Sequence, residues 1–382
     1  MSFDFTTLID RRQYPGKKWH LYAEDVLPLW VADMDFETAP VVTQALHQMV
    51  EIGIYGYVAP MEALKKALCA WAYDHHGWAI EPQWQAWMPG VVPALNLMAQ
   101  ALTEPGDALM TVTPIYPPFL GVGNNTQREL ITVPMLPPSE EDPHWRLDRE
   151  AFETLVTPKT RLLLWCNPHN PTGRVFNREE LEWLADFVER HDLLVCSDEL
   201  HCDLVLDAEA RHVPLAALNE RIAQRTITLW AASKTFNVAG LPAACAIIPD
   251  ASLRERAMKG CDGFVPSHNL AGLVAAQAAY QEGEAWRQQL LEVLVTNRDL
   301  LAAYVAKWPG VSMIPQQATY LSWLDFRDSG LGDVPQQALL ERARVGLSDG
   351  ADFGQPGFVR MNIATQTERL RDALERMDKV LG

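Results

Sequence analysis

From Met61 onward the chain alternates amphipathic stretches with short apolar runs. "MEALKKALCAWAYDHHG" has helical spacing, and "REELEWLADFVERHD" carries an apolar stripe with charge opposite. Among them lie "DALMTVT" (107–113), "RELITVP" (128–134), "TRLLLWC" (160–166), "DLLVCSD" (192–198), "RTITLW" (225–230) and "AACAIIP" (243–249). These runs have strand length and little polar alternation, the pattern of strands buried on both faces. Strands separated by helices predict an α/β fold with a mostly parallel sheet sandwiched by helices.

From about residue 284 a long helical pattern, "EAWRQQLLEVLVTNRDLLAAYVAKWPG", ends at Pro309 and Gly310. After it come "ATYLSWLDF", a helix near "VPQQALLERARV", the Gly-rich "SDGADFGQPG" and "FVRMNIAT". This pattern predicts a smaller α/β domain, which the turn-rich leading segment joins. The division is residues 1–45 as an N-terminal part of the small domain, 46–285 as the large domain and 286–382 as the C-terminal small domain.

With 382 residues, 48% hydrophobic and 21% charged, the chain can bury a large core. Its net charge of −17 and lack of any basic cluster exclude nucleic acid as an expected partner. The N-terminus lacks the apolar core of a signal peptide, and no apolar run reaches membrane-spanning length, so a cytoplasmic protein with no membrane partner is expected. The six cysteines form no CxxC pair and read as reduced, buried thiols.

Several short stretches can carry chemistry. "AASKTFNVAG" (231–240) places Lys234 after a buried strand among small and apolar neighbours, where it must reach water with its stem buried or lose its proton. "WCNPHNPTGRVF" (165–176) turns sharply where a parallel sheet opens its ligand crevice, and Asn170 can donate into that crevice; a simple turn is the plain alternative. "VCSDELHCD" (195–203) puts Asp198 at another strand end, where it can favour protonation of a nearby ring nitrogen or merely cap a helix. No HExxH or paired-cysteine spacing accompanies it, so no metal is expected.

"MPGVVPALNLMAQAL" offers a helix N-terminus suited to an anion. Tyr116 in "TPIYPPF" can stack on a flat ligand or pack in the core, and Tyr55 and Tyr57 in "GIYGYVAP" are packing residues by default. Arg360, inside the apolar strand "FVRMNIAT", needs an anion, either a structural carboxylate or a substrate's. "GVGNNT" (121–126) lacks the third glycine and a following helix, so a dinucleotide-binding protein is poorly supported.

A lysine, a strand-end acid, a crevice asparagine, a helix N-terminus, a stacking aromatic and an arginine together suit pyridoxal 5'-phosphate and an amino-acid substrate. In chain order, "GYV", "PGVVPA", "TPIYPPF", "NPHNPTG", "SDELHCD", "SKTFNVAGLPAA" and "FVRMNIAT" resemble the fold-type I aminotransferase superfamily over nearly the full length. "LPLWVADMDFETAP", "SDELH" and "SKTFNVAGL" are more similar to its cystathionine β-lyase, or C–S lyase, branch.

The resemblance implies that the large domain binds the cofactor. It makes Lys234 the Schiff-base lysine and Asp198 the partner of the pyridine nitrogen. Asn170 and His201 would lie near the phenolic oxygen, with Tyr116 on the ring. Val91 and Val92 would meet the phosphate through backbone N–H groups, and Arg360 would hold the substrate carboxylate. Tyr57 would reach the phosphate of a neighbouring subunit, which implies a homodimer. Many aminotransferases of this group carry a serine and an arginine on the phosphate where this chain has Ala231 and Pro242, so Ser233 and Tyr57 are expected to contribute.

The activity so implied is β-elimination from cystathionine or a related cysteine S-conjugate, giving a thiol, pyruvate and ammonia. An aminotransferase is the close alternative, since it would use the same residues. A regulatory role through a protein partner is compatible with either.

Overall fold

A computed structural model describes residues 2–382. Its centre is a seven-stranded sheet whose spatial order is Gln85–Met88, Ala244–Ile247, Thr226–Trp230, Leu194–Asp198, Thr160–Cys166, Ala108–Thr113 and Glu129–Pro134. The last five run parallel, and Ala244–Ile247 is antiparallel to both of its neighbours. Each of the six apolar runs forms a strand. Gln85–Met88 is an additional strand that the hydrophobic pattern does not reveal.

Both faces of the sheet are covered, as the alternation along one strand illustrates. Cys245 and Ile247 pack into a core shared with helices Glu62–His76, Leu270–Glu282 and Glu284–Val305. Ala244 and Ala246 face the opposite core, built with helices Val91–Leu102 and Arg178–Arg190. The latter helix starts on a capping box in which Asn177 and Glu180 exchange side-chain and backbone hydrogen bonds.

"GVGNNT" lies within helix Pro117–Thr126 and forms its C-terminal end. It therefore does not precede a helix, as a dinucleotide-binding loop must.

A four-stranded sheet, Ser348–Asp349, Phe358–Asn362, Leu321–Asp325 and Ser312–Met313, lies against helix Glu284–Val305 and the C-terminal helix Thr367–Leu381. The leading segment joins this region through Leu27–Pro28, which pairs with Val345–Gly346. The long helix stops at Val305, four residues short of Pro309.

The two leading acids are structural anchors. Asp35 is fully buried and lies 3.0 Å from Lys18 Nζ and 3.1 Å from Arg11 Nη1, and Trp19 Nε1 donates to it at 2.9 Å. Burial alone would raise its carboxyl, but the lysine and the indole donor hold it below the ordinary carboxylate range. Asp33 pairs with the same two cations.

Candidate active site

The site is set by the register of the parallel strands. Cys166 lies opposite Asp198, and Asp198 opposite Leu229, so three strands end at one level. The segments that follow deliver Asn170, His201 and Lys234 to one cavity of about 270 Å³. Ligand crevices open at this edge of a parallel sheet. Tyr116, which follows strand Ala108–Thr113, also lines the cavity.

Gly173 makes the asparagine turn feasible. Its φ is +68°, and a side chain there would meet Ala318 O at 3.1 Å.

Of the residues singled out from sequence, Lys234, Asp198, Asn170, His201, Tyr116, Val91, Val92 and Ser233 all line this cavity. Arg360 stands behind Asn170, donating from Nη1 to Asn170 Oδ1 at 3.0 Å and from Nη2 to Trp30 O at 3.1 Å. Its Nε has no partner, and among the described residues no carboxylate pairs with it. Tyr57 is not part of the cavity; it is 98% exposed on the extended segment before helix Glu62–His76.

Burial dominates the electrostatics. It pushes Asp198 up to about 7, a rise that the hydrogen bond from Leu200 N at 3.1 Å only partly offsets. No helix follows Asp198, so the helix-cap alternative is not met; the Leu200 N–H closes a turn on it, and the carboxylate forms no ion pair among the described residues. Burial brings Lys234 down to about 8, helped by the positive charge of Arg360. His201 falls to about 3 and is therefore a neutral imidazole, and its Nδ1 is buried without a partner.

Two residues near the lysine give no sequence signal. Lys234 Nζ donates to the carbonyl oxygen of Ala32 at 2.7 Å, and Tyr320 OH donates to the same oxygen at 3.2 Å. Ala32 acts through its backbone, which no residue pattern marks. Tyr320 is a buried aromatic that reads as core.

His76, Cys202 and Asp203 also converge, but the acid is already committed. Asp203 is 2.9 Å from His76 Nε2 and accepts from Trp71 Nε1 at 3.0 Å. It reads as a buried hydrogen-bonded acid rather than a metal ligand.

The cavity fits pyridoxal 5'-phosphate on this chain's own atoms. A buried acid without a cation faces it, and so does a lysine whose amine is partly deprotonated near neutral pH. Val91 and Val92 open helix Val91–Leu102, whose first turn contains no acid, so free N–H groups and the positive dipole end point toward the space for a phosphate. Lys234 is the only cation among the lining residues, and Ala231 and Pro242 also line the cavity without offering a side-chain donor. The chain is a pyridoxal-phosphate-dependent protein.

The family described as aminotransferase class I and II matches residues 24–377. The chain is 38% identical over 371 residues to cystathionine beta-lyase PatB of Bacillus subtilis (strain 168), covering 94% of this chain and 93% of that protein. The solved structure of OvoB superposes with a TM-score of 0.95 at 42% identity over 99% of both chains. Cystalysin of Treponema denticola, solved with a pyridoxal 5'-phosphate cofactor, superposes with a TM-score of 0.95 at 32% identity, over 100% of this chain and 99% of that one. The chain therefore belongs to the class I and II aminotransferase family, among relatives named as C–S lyases. No helix among the described residues is long and apolar enough to cross a membrane.

Proposed function

We propose that the chain is a carbon–sulfur β-lyase that cleaves cystathionine or a related cysteine S-conjugate. One substrate and one water give a thiol, pyruvate and ammonia: the Cα–H and Cβ–S bonds break, and hydrolysis of the remaining enamine releases the nitrogen. The observation that carries this reading is the pairing of a buried, partly deprotonated Lys234 with an Arg360 that lacks a carboxylate partner, in a chain so similar to a cystathionine β-lyase.

Pyridoxal 5'-phosphate supplies an electron sink for the pair left when Cα loses its proton. Lys234 anchors the cofactor and then serves as general base, and its lowered proton affinity leaves a useful fraction of free amine near pH 8. Asp198 keeps a proton on the ring nitrogen by offering an unpaired buried carboxylate. Arg360 takes the substrate carboxylate, with Asn170 fixing its guanidinium at 3.0 Å, and so orients the Cα–H bond toward the lysine. Asn170 and the neutral His201 would hold the cofactor's phenolic side and Tyr116 would pack on its ring. Val91 and Val92 N–H and the Ser233 hydroxyl would hold its phosphate.

Purified holoenzyme mixed with cystathionine is expected to release pyruvate and free thiol in equal amounts without any 2-oxo acid acceptor. Keto acid formation that requires an acceptor, with no thiol, would make the protein an aminotransferase instead.

We further propose a homodimer in which Tyr57 completes the phosphate site of the neighbouring subunit. Ile52, Ile54, Tyr55 and Tyr57 are all exposed. Ile52 and Ile54 line a groove between helices Pro40–Ile52 and Leu270–Glu282, where Val41, Met49 and Val274 alternate with Gln48, Gln277 and Gln281. Four large exposed apolar or aromatic side chains within six residues, beside a groove of mixed polarity, suit a second copy. Ile54→Asp is expected to give a monomer by light scattering and to weaken cofactor retention. A wild-type protein that is monomeric when fully active would refute the dimer.

The domain division at residues 45 and 285 belongs to the same proposal: the large unit supplies the cofactor cavity and the small one supplies Arg360. Six free cysteines, five of them buried, support a reducing, cytoplasmic setting.

A further inference from the structure

Residues 30–36 pass beside the cavity, which Ala32 lines, with almost no regular structure, yet side chains from elsewhere hold several of their carbonyls. Asn362 Nδ2 donates to Val31 O and to Asp33 O, each at 2.7 Å, so one carboxamide brackets the Ala32 peptide from both sides. Asn362 is itself fixed: its Oδ1 accepts from Ala364 N at 2.7 Å, its backbone N–H donates to Leu29 O at 2.8 Å, and it is fully buried. Between the two clamped carbonyls lies Ala32 O, which accepts from the Lys234 amine at 2.7 Å and from Tyr320 OH at 3.2 Å.

Asn362 lies two residues beyond Arg360 on strand Phe358–Asn362. Side chains alternate along a strand, so the two share a face, and residues 30–36 lie across that face. Arg360 bonds Trp30 O and Asn362 bonds the next carbonyl and the one after Ala32. One strand thus sets the position of the guanidinium and of the lysine's acceptor together.

We propose that Asn362 is a positioning residue for Lys234: it fixes the Ala32 carbonyl as the acceptor that orients the lysine amine whenever the lysine is free of the cofactor. The proposal rests on reading Lys234 as the general base. A primary amine removes a proton only when its lone pair faces it, and one N–H committed to an immobile carbonyl restricts the directions in which that lone pair can point. Tyr320 OH reaches the Ala32 oxygen itself, whereas Asn362 holds the peptides on either side of it and so fixes the segment from which that oxygen projects.

Two measurements test this. In crystals of the cofactor-free protein, Lys234 Nζ is expected on Ala32 O in the wild type and beyond hydrogen-bonding reach, about 3.5 Å, in Asn362→Ala. In the holoenzyme, exchange of the α-proton of an amino-acid substrate with D2O, followed by NMR, reports the lysine's proton transfer without any leaving group.

Asn362→Ala is expected to slow that exchange by roughly tenfold or more with KM nearly unchanged. Asn362→Gln, which restores a carboxamide, should recover part of the loss. Gln366→Ala, which releases the same segment at Asp35 O, should lower thermal stability and leave exchange as in the wild type.

Unchanged exchange in Asn362→Ala, equal losses in Asn362→Ala and Gln366→Ala, or a wild-type amine lying away from Ala32 O would each overturn the proposal. Should Asn362→Ala not fold, Asn362→Gln and the wild-type crystal decide. Wild-type exchange without pyruvate release would instead remove the lyase reading and leave the positioning role standing.

Discussion

Lys234→Ala is expected to cost at least roughly 10⁴ in turnover, because it removes the covalent anchor and the general base together. Borohydride reduction of the coloured wild-type protein, followed by peptide mapping, should place the pyridoxyl label on the peptide containing Lys234, and the variant should carry no label. The folded state should not suffer. Burial and the neighbouring Arg360 charge already disfavour the lysine's ammonium form, bringing it down to about 8. Alanine removes that disfavoured cation, so the melting temperature of the cofactor-free variant should match or exceed that of the wild type at pH 7. A label on another lysine, or a variant retaining a tenth of the activity, would sink the assignment.

The parts legible in the sequence are those fixed by local chemistry. Apolar runs such as "TRLLLWC" are strands because burial on both faces leaves no room for polar alternation, and the strand covers the same residues, Thr160–Cys166. Asn170, Asp198 and Lys234 converge because each follows the C-terminal end of a strand, and register brings such ends together. Strand Gln85–Met88 is not legible because four residues that include a glutamine and a tryptophan carry no clear period.

Long-range partners left no trace either. Arg360 finds Trp30 O across 330 positions, and Asp35 finds Lys18 and Arg11 only once the leading segment has folded back. Tyr57 illustrates the opposite limit. The resemblance gives it a role that nothing within its own chain completes, and its exposure of 98% fits a residue that needs a second copy.

Asp198→Asn is expected to move stability and activity in opposite directions. In the cofactor-free protein, burial raises the carboxyl from an ordinary value of 3.8 to about 7. Between those values the folded chain holds a proton that the unfolded chain has lost. Stability therefore falls as pH rises through that window, by on the order of 4 kcal/mol in full. Asparagine has no charge to bury and can still accept from Leu200 N, so the cofactor-free variant should melt above the cofactor-free wild type at about pH 8, with the gap closing near pH 4.

Once the cofactor is bound the order should reverse, because the wild-type carboxylate gains a cation at the ring nitrogen and asparagine cannot keep that proton in place. Turnover of the variant should drop by roughly 10²–10³, the scale seen when a preorganised electrostatic group is lost. If Asp198 did no more than close the turn at Leu200, the change would cost about 1 kcal/mol or less at every pH and leave turnover intact. Calorimetry at these two pH values, with and without cofactor, separates the two roles by the sign of the shift alone.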